Sequence, residues 1–92
     1  MLSYYDPATI QSQGDAVRVW IHTELRGPMD GVRSRRALKE IRCNDMRHRT
    51  LQETAYSGPR MTGELVTYSD AGEWRSFGRG SEYASLQGML CR

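Results

Sequence analysis

The sequence predicts a small α+β domain: one sheet followed by one C-terminal helix. Three observations carry this reading. Residues Ala16–Leu25 alternate with period two, Val17, Val19, Ile21, Thr23 and Leu25 against Arg18, Trp20, His22 and Glu24, which is the pattern of a strand with one face on a core. Clusters of Gly, Pro, Asn and Asp then cut the chain into short segments. Near the end, Ser81 is followed by Tyr83, Leu86 and Leu90 at helical spacing. Ninety-two residues make a single domain. An apolar fraction of 38% is low for a globular chain, so each constraint on the fold matters. A net charge of +2 argues against wholesale coating of nucleic acid.

Taken in order, Ser3–Asp6 is a short strand ending where Pro7 forces Asp6 to be extended. Gln11–Asp15 is a turn, with Gly14 supplying backbone freedom. Ala16–Leu25 is the clearest strand, rich in β-branched residues. Trp20 falls on its polar-leaning face, so that face is expected to be partly covered, with a helix as the candidate cover. Arg26–Val32 holds two glycines and a proline and reads as a loop. Ser34–Cys43 fits two descriptions: Ala37, Leu38, Lys39 and Glu40 are good helix formers, while a strand would align Ala37, Ile41 and Cys43 with Arg35 and Lys39. Asn44-Asp45 suits a turn. Arg47–Tyr56 and Glu64–Tyr68 are strands, joined by the loop Ser57–Gly63; Ser69–Gly72 is a turn and Glu73–Phe77 a short strand. Ser81 is an N-cap and Glu82 suits the positive end of a helix running to about Leu90. Gly88 weakens that helix by roughly 1 kcal/mol, so it needs packing to persist.

Cys43 and Cys91 have two readings: they pair in an oxidising compartment and stay free in a reducing one. They form no C-x-x-C motif. A zinc site drawing on Cys43, Cys91, His22 and His48 would have scattered ligands rather than compact spacing, and no metal or cofactor is expected. The first ten residues have no basic segment and no apolar run of signal-peptide type. That leaves a cytosolic protein or a chain that starts after a removed signal. No stretch is apolar enough to span a membrane.

The strongest charge feature lies between Gly31 and Arg49. Arg33, Arg35, Arg36, Lys39, Arg42, Arg47 and Arg49 face only Glu40 and Asp45. On two adjacent strands, alternate members would share a face and make an anion-binding surface, because the guanidinium fork suits carboxylates, sulfates and phosphates. The competing reading is a solvated sheet face paired with Glu40, Glu53 and Glu64. Trp20, Tyr56, Tyr68, Trp74 and Tyr83 read as core beneath the helix, with a ligand groove as the alternative. There is no glycine-rich phosphate loop and no G-x-S-x-G, so no enzyme is expected.

Several short pieces occur in an order that resembles the surface-adhesin protein E family of Gram-negative bacteria. They are YYDPATI at Tyr4–Ile10, VRVWI at Val17–Ile21, S..ALKEIRC at Ser34–Cys43, and R.RTLQETAYSG ending at Gly58. GEW at Gly72–Trp74, Gly80-Ser81 and Cys91 follow. At Gly78–Ser81 the chain departs from the family, which often has a proline before the glycine; local loop shape is what this leaves open. The resemblance implies a curved antiparallel sheet of about five or six strands with the helix laid on one face. It implies that Ser34–Cys43 is a strand, and that Cys43 and Cys91 form a helix-tethering disulfide. It also implies an exported, periplasmic or cell-surface protein, non-enzymatic, binding host matrix or serum proteins, with a homodimer expected and no nucleic-acid partner. Rival readings are a self-associating envelope protein and, more remotely, a polyanion binder acting through the arginines.

Overall fold

The computed structural model describes residues 2–69 and 71–91. Seven strands and one α-helix lie among them: β1 (Leu2–Tyr5), β2 (Gln11–Gln13), β3 (Ala16–Met29), β4 (Val32–Arg42), β5 (Arg47–Tyr56), β6 (Glu64–Tyr68), β7 (Arg75–Ser76) and α1 (Glu82–Leu90). All strands join one antiparallel sheet of order β1-β3-β4-β5-β6, with β2 also on β3 and β7 also on β5. Each edge is therefore one interrupted strand. On the first, a 3₁₀ turn at Pro7–Thr9 separates β1 from β2, and Asp6 caps it by accepting from the Ala8 amide at 3.0 Å. On the second, residues between β6 and β7 stay close to β5, with the Gly72 amide donating to the Thr50 carbonyl at 2.8 Å.

Ser34–Cys43 resolves as strand: Ser34–Arg42 pair continuously with β3, and Ala37 and Ile41 are buried. Arg47–Tyr56, Glu64–Tyr68 and the helix Glu82–Leu90 take the expected bounds. Three expectations change. The strand at Ala16 runs on through Arg26–Met29, and only Asp30 and Gly31 turn. Both have positive φ, 53° and 79°, with Met29 opposite Val32, the two-residue hairpin geometry that matches strand twist. Pairing is irregular between Glu24 and Met29, where a proline with no amide to donate is tolerated. Gln11–Gln13, expected in a turn, form β2, and Gly14 (φ 58°) turns the chain instead. The strand expected at Glu73–Phe77 shortens to Arg75–Ser76. Of the turn expected at Ser69–Gly72, Asp70 lies outside the described residues.

Register and period two define the two faces of the sheet. Val17, Val19, Ile21 and Ile41 bury one face together with Leu86 of α1, and Phe77, Tyr83, Leu90 and Cys91 pack around them. The helix is fixed at both ends. Ser81 Oγ accepts from the Ala84 amide at 3.3 Å, which satisfies one orphan donor of the first turn. At the far end, Gln87 Nε2 donates to the carbonyls of Arg42 (2.6 Å) and Asp45 (2.7 Å). Cys91 is bonded to Cys43, with Cα atoms 5.5 Å apart. Closing a loop with a sequence separation of 48 is worth about 4 kcal/mol in the chain-entropy account. That is a large share of the roughly 5–15 kcal/mol that holds a domain folded. No helix among the described residues is long and apolar enough to cross a membrane.

Candidate binding face

The opposite face of the sheet carries the even-numbered positions of β3 and β4, and its chemistry is charged and aromatic. Trp20 lies here, away from α1. Its cover is the Arg36 guanidinium, 3.7 Å from the ring centroid, in place of the helix expected from the sequence. Tyr4 stands opposite His22 across the β1–β3 ladder, with ring centroids 5.8 Å apart. These side chains, with Met61, line a cleft of about 300 Å³. His22 Nε2 pairs with the Glu24 carboxylate, and Glu24 also accepts from the Arg60 amide at 3.0 and 3.1 Å.

Glu40 lies at the centre of the face. It is only 4% exposed, and a buried carboxylate requires partners. Arg18 stands opposite it on β3 and donates from Nε to Oε2 at 2.8 Å; Arg49 stands opposite on β5 and donates from Nε to Oε1 at 2.7 Å. Burial pushes the Glu40 carboxyl up, but the hydrogen bonds and charges of the two arginines outweigh it and hold the group below its ordinary 4.5. The Trp74 ring continues the cluster, with the Arg49 guanidinium 4.5 Å and that of Arg42 5.4 Å from its centroid. Arg42 also meets Asp45 at 3.4 Å.

The connection from β5 to β6 folds over this face and is held by Ser34, which is 0% exposed. Ser34 Oγ donates to the Gly58 carbonyl (2.7 Å) and accepts from the Met61 amide (3.1 Å). Arg60 and Met61 have positive φ, 55° and 61°, an uncommon backbone for residues with a Cβ. The contacts to Ser34 and Glu24 hold them there, and Met61 is thereby set at the rim of the Trp20 cleft.

The seven basic residues singled out in the sequence do not form one patch. Arg36, Arg42, Arg47 and Arg49 share the face opposite α1, by alternation along paired β4 and β5. Arg35 and Lys39 lie on the helix side, where they line a groove with Glu53 and Tyr83. Arg33 donates from Nε to the Leu25 carbonyl at 3.1 Å. One-residue steps in a strand reverse the face, so a run of arginines along β4 is necessarily divided. The aromatics divide too: of the five expected as core beneath the helix, Tyr83 is there, Trp20 and Trp74 lie against arginines on the other face, Tyr56 is half-buried opposite Ser34, and Tyr68 is exposed. Glu40 was expected to pair with the arginines and does so; Arg18, and the burial of Glu40 between two arginines, escaped sequence reasoning. Their signal was the cross-strand register: the irregular pairing between Glu24 and Met29 hides the Arg18–Glu40 match when residues are counted from the hairpin, while Glu40 and Arg49 stand in regular register beside the β4–β5 turn.

A guanidinium held over an indole by the cation–π attraction keeps N–H donors available to planar or tetrahedral anions. Among the described residues no group of three or more His, Cys, Asp or Glu is placed to hold a metal ion, and both cysteines are in the disulfide.

No curated protein matches the chain by sequence alone. Among solved structures, crystal form II of Haemophilus influenzae protein E superposes with a TM-score of 0.73 at 14% identity, covering 97% of this chain and 79% of that one. At that identity the likeness speaks to the fold alone. The family description, surface-adhesin protein E, matches residues 1–92. With the match spanning every residue, the chain belongs to the surface-adhesin protein E family.

Proposed function

We propose that this protein is an exported, non-enzymatic binding module that holds host matrix or serum proteins through the sheet face opposite α1. The observation that carries this reading is the set of guanidinium groups placed over Trp20 and Trp74. Arg36 has no carboxylate within ion-pair reach among the described residues, so its donors remain for a ligand. Arginine and tryptophan are the residue types that dominate protein-binding hot spots. Export is supported by the Cys43–Cys91 disulfide, since such bonds persist in oxidising compartments, and by membership of a surface-adhesin family.

The test is surface plasmon resonance on an immobilised basement-membrane extract. Raising salt from about 0.05 to about 0.5 M, which shortens the screening length several-fold, should weaken binding, and Arg47→Glu should weaken it at low salt. Binding that is indifferent to both would overturn the reading.

A second reading, self-association, is favoured by β6. All five of its residues are exposed, including Leu65 at 53% and Tyr68 at 61%, and its outer edge has no strand partner among the described residues. Sedimentation equilibrium separates the two readings: association through an apolar edge depends on protein concentration and survives high salt.

A further inference from the structure

On the helix side, at the seam between β5, β7 and α1, lies a second cleft, of about 340 Å³. Lys39, His48, Thr50, Glu73, Arg75 and Tyr83 line it. Arg49 also borders it, but its Nε is committed to Glu40. The cleft exists because β5's edge is shared by two short strands: Gly72 returns to the Thr50 carbonyl and Arg75 pairs with His48.

Three basic groups converge there. Lys39 Nζ donates to Thr50 Oγ1 at 2.6 Å and stands 5.7 Å from the Tyr83 ring centroid. Neither Lys39 nor Arg75 has a carboxylate within ion-pair reach among the described residues. The His48 ring stacks on Tyr83, centroids 3.8 Å apart and planes 13° from parallel. Its Nδ1 is buried with no hydrogen-bond partner among the described residues, a rare condition for a buried polar atom. Burial, and then the charges of Lys39 and Arg75, keep the imidazole below its ordinary 6.5. Glu73 is the one carboxylate lining the cleft among the described residues.

We propose that this cleft is a binding site for a tetrahedral oxyanion, a sulfate or phosphate group, held by Lys39, Arg75 and the Thr50 hydroxyl. The site is separate from the face opposite α1 and stands or falls independently of it. An oxyanion offsets the mutual repulsion of Lys39 and Arg75, and a charged His48 adds a third positive group. The groups facing His48 are Lys39 from β4, Arg75 from β7 with Glu73 before it, and Tyr83 from α1. Their balance is cationic, so acid conditions strengthen the anion's hold.

The experiment is an amide NMR titration of the disulfide-intact protein with sodium sulfate, against sodium chloride at matched ionic strength. Saturable shifts at Thr50, Gly72 and Tyr83 with sulfate alone are expected. Glucose 6-sulfate and glucose 6-phosphate, with glucose as control, then distinguish a site for the free ion from one for an ester: tighter binding of an ester assigns the carrier, and equal binding assigns the free ion. Arg75→Gln should weaken sulfate at least about tenfold, the loss of one charge-assisted contact. Glu73→Gln should tighten it, and Arg26→Gln on the distant hairpin should leave it unchanged. Sulfate does not titrate between about pH 7.5 and 5.5, so its affinity should rise severalfold over that range through His48, and His48→Gln should bind sulfate without the rise. Shifts that chloride reproduces, or sulfate affinity that Arg75→Gln leaves intact, overturn the site. A flat wild-type pH profile overturns the role of His48.

Discussion

The two faces of this sheet are stabilised by different physics. Beneath α1 the contacts are apolar, Val17, Val19, Ile21, Ile41 and Leu86, and a covalent bond locks the helix down. On the other face the buried groups are polar, Ser34, Glu40 and Thr54, and arginines take the place of a second helix. Apolar burial is nondirectional and tolerates sliding; a carboxylate between two guanidiniums is satisfied in one arrangement only. The helix side thus supplies cohesion, and the opposite side supplies fixed geometry, which is what a recognition surface needs.

The comparison can be broken first at the disulfide. Replacing both Cys43 and Cys91 with alanine should cost about 4 kcal/mol in urea unfolding. Hydrogen exchange should show α1 opening before β3–β5. If the loss spread evenly over both faces, the covalent lock would not be specific to the helix side. Next is Glu40→Ala, which leaves Arg18 and Arg49 facing each other across an emptied site. Both arginines are partly exposed, so the expected cost is about 3 kcal/mol, the low end for breaking a buried ion pair. The exchange of α1 should hardly change. Ser34→Ala removes two hydrogen bonds to the β5–β6 connection and strands the Gly58 carbonyl, for about 1–2 kcal/mol. Its signature is increased motion at Arg60 and Met61.

Acid should separate the faces as well. His48 is held below 6.5 in the folded chain, so the unfolded chain takes up this proton more readily. Its contribution to stability is complete above about pH 6.5 and declines as the pH falls through and below that value. Glu40 is held below 4.5, so its contribution persists until the pH falls below 4.5. Thermal melts on descending pH should therefore lose stability on the helix side first. His48→Gln should remove the early phase and leave the later one, and a single phase unaffected by that substitution would contradict the assignment.

The legible part of the molecule was what local pattern controls. The alternation in β3, the bounds of β5 and β6, and the helix capped by Ser81 follow from residue spacing within a few turns or pleats. Even so, Asp30-Gly31 was obscured by neighbouring Gly27 and Pro28, which mimic a longer loop. The candidate binding face was hardly legible, because it depends on which residue stands across from which. Arg18 meets Glu40 only once the irregular pairing between Glu24 and Met29 is placed, and Glu40 meets Arg49 only once the β4–β5 turn is. Trp20 shows the same limit: alternation gave its face correctly, and nothing local said that Arg36, sixteen positions later, would cover it.

Arg35 and Arg36 are neighbours in sequence on opposite faces of β4, so they test the division of labour directly. Binding of Arg35→Glu and Arg36→Glu to an immobilised basement-membrane extract, after circular dichroism shows both folded, isolates the face that recognises. Arg36→Glu should lose at least tenfold, about 1.4 kcal/mol, and Arg35→Glu should change by no more than about twofold, as for a residue outside the contact. Equal losses, or a loss confined to Arg35→Glu, would contradict that division.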